Sequence, residues 1–189
     1  MNIKEVIENR RAYRSLESIE ITKDLIVELV HVAQIAPSYS NNQPWRFIFI
    51  KDQNVLNTIF TTLSKTNKWV EKASLIIAVF SKPENDCIIG DRKYNLIDMG
   101  LATAFIILRA TELGLVAHPI AGFNEQKAKK ILHIPLDMNL ITLIIIGKHS
   151  KESNPVLSEK MKLGEKQRPP RKPLNEFIFI DDFRSRIEL

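Results

Sequence analysis

The chain has 189 residues, 44% of them hydrophobic and 26% charged, and its 27 Lys plus Arg against 22 Asp plus Glu leave a net charge of +5. That length suits one domain with a core of its own, and the single cysteine, Cys87, excludes an internal disulfide framework. One Cys and four scattered His cannot form a Cys/His zinc cluster, and the longest apolar runs fall short of the roughly 18 residues a membrane span requires.

Ile3–Asn9 reads as a short amphipathic helix that feeds a basic loop, Arg10–Arg14. Neither segment has the apolar stretch of a secretory leader, so a cytoplasmic protein that does not engage a membrane is expected. Thr22 is a good N-cap for a second helix carrying Leu25, Ile26, Leu29, Val30 and Ala33 at helical spacing, stopped by Pro37. His31 falls near its apolar face and reads as a core or boundary histidine. Trp45–Lys51 reads as a strand, and Asp52 caps a helix with Val55, Leu56, Ile59, Phe60 and Leu63 on one side.

Leu75–Phe80 has the continuous β-branched character of a strand buried on both faces. A long helix is expected over about 91–113, ending at Gly114, a natural C′ glycine. Its stretch Met99–Leu108 is apolar on nearly all sides, which in a domain this size suggests burial against a partner subunit. Asp98, within that helix, is expected to cap or pair with something structural, such as Arg92 or Arg109, and not to act as a catalytic base. A short strand at 115–120, a helix at 124–132 and a buried strand at 140–147 follow. From Lys148 the chain turns polar, basic and proline-containing, then finishes in a strand-like run, Glu176–Ile180. A disordered tail has no reason to carry Phe177-Ile178-Phe179-Ile180, so that run is expected on a sheet edge or in a groove, of this chain or of a second copy. Together these elements describe an α+β domain over 1–189, with 148–189 an extended C-terminal arm.

Four segments could carry chemistry. Arg10-Arg11-Ala12-Tyr13-Arg14 places three arginines in five residues, which can fork onto a phosphate or form a solvated basic turn. Pro37-Ser38-Tyr39-Ser40-Asn41-Asn42-Gln43-Pro44 offers donors and acceptors suited to a heteroaromatic ring or a ribityl chain, or satisfies its own turns. His118-Pro119-Ile120-Ala121-Gly122 ends a strand in small residues that let a ligand approach the backbone, or is an ordinary connection. Arg168-Pro169-Pro170-Arg171-Lys172-Pro173 holds charge on a proline-stiffened segment, or is a linker. Motifs for dinucleotide-binding, phosphate-loop, zinc-protease and serine-hydrolase chemistry are absent from the sequence, and Cys87 has no flanking His or Arg to activate it.

Taken in order, these segments resemble the nitroreductase-like, FMN-dependent oxidoreductases. That family carries a paired basic motif near the N-terminus, then Ala-Pro-Ser-x-x-Asn-x-Gln-Pro-Trp, Leu-Gly-Leu after a long helix, a Pro-Ile-x-Gly-Phe-like turn and a late Arg-x-Pro-Leu. Here the corresponding residues are Arg10-Arg11-Ala12-Tyr13-Arg14, Ala36 to Trp45, Leu113-Gly114-Leu115, Pro119 to Phe123 and Arg171-Lys172-Pro173-Leu174. The resemblance implies a central mixed sheet flanked by helices, a C-terminal arm exchanged between subunits, and a homodimer with FMN at its interface. It assigns FMN contacts to Arg10, Arg11, Ala12 and Arg14, to Pro37, Ser38, Tyr39 and Asn41 from the other subunit, and to Asn67. It further assigns Pro119, Ile120, Ala121 and Gly122 to the flavin ring, with the Ala121 or Gly122 amide donating to flavin N5, and Arg171 to the phosphate. Arg168 stands three residues before Arg171, where relatives often place a basic residue two before it. Ala12 replaces the usual serine, so only its backbone can serve.

The implied activity is hydride transfer from NADH or NADPH through flavin N5 to a nitroaromatic, quinone, enone or related small oxidant, by a ping-pong cycle in which the cofactor carries the chemistry. No catalytic side chain is expected, and the substrate-facing loops are expected around 67–71 and 83–94. The alternative is a non-catalytic flavin- or redox-sensing module, or one that binds an anionic partner. The charge itself is localised: residues 1–14 carry +2 and residues 151–173 carry +4, leaving −1 for the remainder. The basic tail lacks interleaved aromatics, so a nucleic-acid surface is not expected.

Overall fold

The structure, a computed structural model, describes residues 1–187. It divides into two compact units, Met1–Leu157 and a second that begins at Ser158. In the first, helices α1 (Ile3–Asn9) and α2 (Lys23–Gln34) flank the two-residue strand β1 (Leu16–Glu17). Then come β2 (Arg46–Ile50), α3 (Gln53–Phe60), a 3-10 segment Lys65–Lys72, and β3 (Leu75–Ser81). A hairpin of β4 (Ile88–Ile89) and β5 (Arg92–Lys93) leads into α4 (Tyr94–Glu112), followed by β6 (Val116–Ile120), α5 (Glu125–Ile131) and β7 (Asn139–His149).

Helix starts follow local chemistry. Thr22 Oγ1 accepts the Leu25 N–H at 3.1 Å, Asp52 Oδ1 accepts those of Asn54 and Val55, and Asn124 Oδ1 accepts that of Lys127 at 2.9 Å. Asn2 and Glu5 form a reciprocal capping box on α1. Gly114 ends the region of α4 with φ +75°, the left-handed conformation a glycine adopts most cheaply. The long helix begins at Tyr94 rather than near Asp91, because Arg92 and Lys93 pair with Ile89 and Ile88 across a turn at Gly90, φ +59°.

Every pairing in the main sheet is antiparallel, so the sheet is not mixed as expected. Strand β7 pairs with β3, β6 and β1, and β3 pairs with β2. Among the described residues no two neighbouring strands run in the same direction, which is what a parallel pair would require. All seven residues of β3 are buried. Leu75, Ile77 and Val79 join Ile144 and Ile146 in a core with Leu29 and Ala33 of α2 and Met99, Ala102, Ile106 and Ala110 of α4. Ile76, Ala78 and Ile145 point to the opposite face and are equally buried, so both faces are covered.

Helix α4 is not buried all round in the single chain. Leu96, Ile97 and Leu101 remain 48%, 57% and 37% exposed on the side opposite its core stripe. His31 is also on the surface of α2, not at its core boundary. The first unit runs past Lys148 because β7 continues through His149, after which Ser15 takes the Ser150 N–H on its carbonyl and the Asn154 N–H on its hydroxyl, each at 2.9 Å.

The second unit contains helix α6 (Glu159–Lys166), capped by Ser158, where the sequence suggested only a polar tail. The strand expected at Glu176–Ile180 is instead a 3-10 turn, Leu174–Glu176, with an isolated bridge between Phe179 and Arg186. Stretches of apolar residues favour a strand only where a partner edge is available, and the Phe179 edge finds a single bridge here.

Replacing Ile77, which has no exposed surface, with Ala is expected to cost about 2–5 kcal/mol of unfolding free energy in urea titrations. Ile88→Ala, on the exposed hairpin, is expected to change it by no more than about 0.5 kcal/mol.

Candidate functional site

Residues Arg10–Arg14 form a loop held by its surroundings. The Arg10 N–H closes α1 on the Val6 carbonyl at 3.0 Å. His118 Nδ1 lies 3.1 Å from the Tyr13 carbonyl oxygen, and since a carbonyl can only accept, Nδ1 carries the proton. The Tyr13 ring stacks on His149 at 3.6 Å, and the Arg11 guanidinium lies 5.1 Å from the Tyr13 ring centre. Arg14 lies 5.9 Å from the ring of Trp69, whose other neighbour is His118 at 4.7 Å. Arg10, Arg11, Ala12 and Arg14 are all half-buried.

The turn after β6 is stapled to the segment that follows α3. Ser64 N–H and Asn67 Nδ2 both donate to the Gly122 carbonyl, at 2.9 and 3.0 Å, and the Asn124 N–H donates to the Thr62 carbonyl at 2.7 Å. Gly122 is favoured by space rather than by its backbone angles, since a Cβ would force Ser64 or Asn67 to shift. A Cβ there would sit 2.6 Å from Ser64 Oγ and 2.7 Å from Asn67 Nδ2. Among the described residues, neither the Ala121 nor the Gly122 N–H has an acceptor, and Ala121 is exposed. Asn67 therefore holds the turn through its amide nitrogen. Trp69 and Val70, within the expected substrate-facing stretch, are interior residues.

The structure thus brings together the arginine loop, Asn67 and the Pro119–Gly122 turn. Pro37, Ser38, Tyr39 and Asn41 lie on a separate loop, between α2 and β2, that is tied to α4 and to the turn before β4. The Tyr39 N–H donates to Asp98 Oδ2 of α4 at 2.7 Å, and Asn42 Nδ2 donates to Asp86 Oδ1 at 3.0 Å. Ser38 Oγ accepts the Gln43 N–H at 3.0 Å. Ser40, Asn41 and Gln43 all have positive φ, at 46°, 58° and 47°, a conformation that costs about 1 kcal/mol or more for a residue with a Cβ. Asp98 thus has a structural partner in the Tyr39 N–H but, contrary to expectation, pairs among the described residues with neither Arg92 nor Arg109. Arg109 engages Glu28 at 2.7 Å and Glu112, one turn on. Arg168 and Arg171 belong to the second unit, where Arg168 lines an open cavity of about 280 Å³ with Leu163 and Pro169.

A model of the Nitroreductase family matches residues 7–68 and 61–148. The chain belongs to the nitroreductase family. A Bacillus subtilis (strain 168) protein named putative NAD(P)H nitroreductase MhqN is 24% identical over 207 residues, covering 92% of this chain and 95% of that one. Iodotyrosine deiodinase 1 of Sus scrofa is 22% identical over 204 residues, covering 92% of this chain but only 66% of its own length. A solved structure described as an oxidoreductase containing FMN superposes with a TM-score of 0.80 at 25% identity, covering 96% of this chain and 92% of that one.

Within this nitroreductase-family chain, His118, Ser64 and Trp69 support the candidate site in roles that the sequence does not show. His118 stood in a recognised segment, but only the fold shows that it holds the arginine loop. Ser64 and Trp69 carry no spacing signal, because Ser64 meets Gly122, and Trp69 meets His118 and Arg14, only across long stretches of sequence. Asp98 did carry one: a lone carboxylate in the most apolar helix.

Gly122→Ala is expected to destabilise the protein by about 1–3 kcal/mol, read as a lowered thermal midpoint. Combined with Asn67→Ala, which vacates the clashing amide, the loss should be smaller than the sum of the two single losses.

Proposed function

We propose that this protein is an FMN-dependent NAD(P)H oxidoreductase acting on a small organic oxidant. The observation that carries the reading is the meeting of a triple-arginine loop with a small-residue turn whose Ala121 and Gly122 N–H groups are unspent. The donor set fits the cofactor: guanidinium groups suit a phosphate, and backbone N–H groups at an exposed turn suit the edge of a flavin ring. The relatives' names and the FMN-containing neighbour support the same reading.

In this proposal Arg10, Arg11 and Arg14 hold the phosphate and ribityl end, with Ala12 contributing only backbone. Arg171 of the tail adds to the phosphate, and Arg168 supplies local positive charge. Pro119 and Ile120 lead the backbone to the ring, where the Ala121 or Gly122 amide donates to its N5 edge, and Asn67 keeps that turn in position. When bound, FMN supplies reversible hydride acceptance, taking reducing equivalents from NADH or NADPH and passing them, in ping-pong order, to an oxidant such as a nitroaromatic, quinone or enone.

The site is proposed to be completed by a second copy of the chain, which contributes Pro37, Ser38, Tyr39 and Asn41. The exposed Leu96, Ile97 and Leu101 on α4 support a homodimer, because a row of large apolar side chains beside Gly100 is costly to leave in water and leaves room for a close helix approach. Exchange of the C-terminal arm, residues 148–189 as read from the sequence, belongs to the same proposal. It gives the Phe177–Ile180 run a partner edge.

Purified protein reconstituted with FMN is expected to be yellow, with about one flavin per chain, and to bleach under anaerobic NADH or NADPH. Protein that takes up no FMN refutes the reading; flavin that neither nucleotide bleaches favours a binding module without catalysis. Arg171→Ala is expected to weaken FMN retention about tenfold or more, as loss of a charged hydrogen bond would, while Lys172→Ala leaves it nearly unchanged. Equal retention in the two variants removes Arg171 from the site. A panel of nitroaromatics, quinones, enones and iodinated phenols offered to the bleached protein identifies the oxidant class.

A further inference from the structure

Two carboxyl groups meet behind the loop that runs from Ser38 to Gln43, and their polar atoms do not balance. Asp98, on α4, is 4% exposed, and its Oδ2 accepts the Tyr39 N–H at 2.7 Å. Asp86, in the turn before β4, accepts the Cys87 N–H at 2.8 Å and the Asn42 amide at 3.0 Å, both on Oδ1. Its Oδ2 is buried and has no donor. The neighbour that interacts with Asp98 there is the Asp86 carboxyl itself.

Two ionised carboxylates cannot satisfy one another, since both only accept. A single proton between them resolves the arrangement, because it gives the buried oxygen a donor and removes one of two like charges. The other groups around the pair do not supply a counter-charge. The loop brings Tyr39, whose hydroxyl is raised in pKa first by its hydrogen bond to Cys87 and also by Tyr94. The turn brings Cys87 beside Asp86, and α4 brings Tyr94 and the buried Asn95. Arg92 lies 6.0 Å from the Tyr94 ring and points its Nε at the Ile89 carbonyl. Among the described residues, no lysine or arginine forms an ion pair with either carboxyl.

We propose that Asp86 and Asp98 share one proton, and that this protonated pair is the positioning device that holds Tyr39 and Asn42, and with them the strained Ser38–Gln43 loop, in the shape that receives the flavin. The role of the loop rests on the FMN reading above; the pair does not. Neither carboxyl touches the reacting atoms, so both are positioning residues. With the proton present, Asp98 and Asp86 pull on the two ends of the Tyr39–Asn42 segment without repelling each other. With it gone, repulsion between them loosens the clamp.

The direction with pH follows. Burial is the main cause that lifts the Asp98 carboxyl above its ordinary range; the Tyr39 N–H opposes this, and the Asp86 carboxyl adds to it. The folded chain therefore keeps the proton to higher pH than the unfolded chain. Stability from this pair is present at low pH and declines as pH rises from the ordinary aspartate value through the raised one.

Asp86→Asn and Asp98→Asn each keep one negative charge and put an amide N–H in place of the shared proton. In flavin-free protein, infrared spectra should show a protonated-carboxyl C=O band that both variants lose. The Tyr39 amide resonance should titrate with that band in the parent protein and stay still in Asp86→Asn. FMN affinity, from flavin fluorescence, should fall about tenfold across the same titration in the parent and remain flat in both variants. No such band, or its survival in both variants, overturns the shared proton. A band with an unmoving Tyr39 resonance overturns the clamp, and a clamp with pH-independent FMN affinity overturns its link to the cofactor. Failure of FMN to bind at every pH refutes the flavin reading instead, leaving the band and the Tyr39 titration to decide the pair.

Discussion

Burial of the β3–β7 pair on both faces is the constraint from which the rest of this structure follows. Strand β7 is eleven residues long and pairs with β3, β6 and β1, so three otherwise separate parts of the chain are referenced to one backbone. An antiparallel ladder buried on both sides leaves no tolerance for slippage, because a shift of one residue would exchange two sets of core side chains between faces. That rigidity is what positions chemistry at its ends. Strand β6 delivers the Ala121–Gly122 turn, and β1, two residues long, tethers the arginine loop that precedes it.

Around this frame the site is assembled by small, local compensations. The Gly122 carbonyl takes two donors, and the space that a Cβ would occupy is filled by Ser64 and Asn67. The arginine loop is held in part by His118, His149 and Trp69, through ring contacts and the His118–Tyr13 hydrogen bond. In the proposed enzyme these contacts prearrange donors before the cofactor arrives, so less of its binding free energy is used to order the chain. The Ser38–Gln43 loop is handled differently. Its left-handed residues are tied down from α4 and from the turn before β4, which makes its geometry dependent on the carboxyl pair proposed above.

Helix α4 shows how two demands divide one element. Met99, Ala102, Ile106 and Ala110 form the stripe that seals the core, while Leu96, Ile97 and Leu101 face outward. The sequence shows only that the helix is apolar on nearly all sides; the fold separates the half that the chain covers from the half it does not. Asp98 is the exception within that apolar stretch, and it is buried because it serves the loop, not because it pairs with an arginine along its own helix.

What the amino-acid sequence determined by itself is whatever depends on near neighbours and on pattern. Thr22, Asp52 and Asn124 cap as their residue types dictate, the β-branched run at 75–80 is a fully buried strand, and Gly114 takes the left-handed turn. The order of the motifs was enough to point to the family. Tertiary structure decided what depends on distant partners: that the sheet is antiparallel throughout, that Phe177–Ile180 is not a strand within this chain, and that Asp98 meets Tyr39 and Asp86. It also decided that a side chain at Gly122 would displace Ser64 or Asn67. Local sequence encodes caps and periodicity because their hydrogen bonds close within a few residues; strand direction, buried carboxyl pairs and steric room are properties of segments that become neighbours only when the chain has folded.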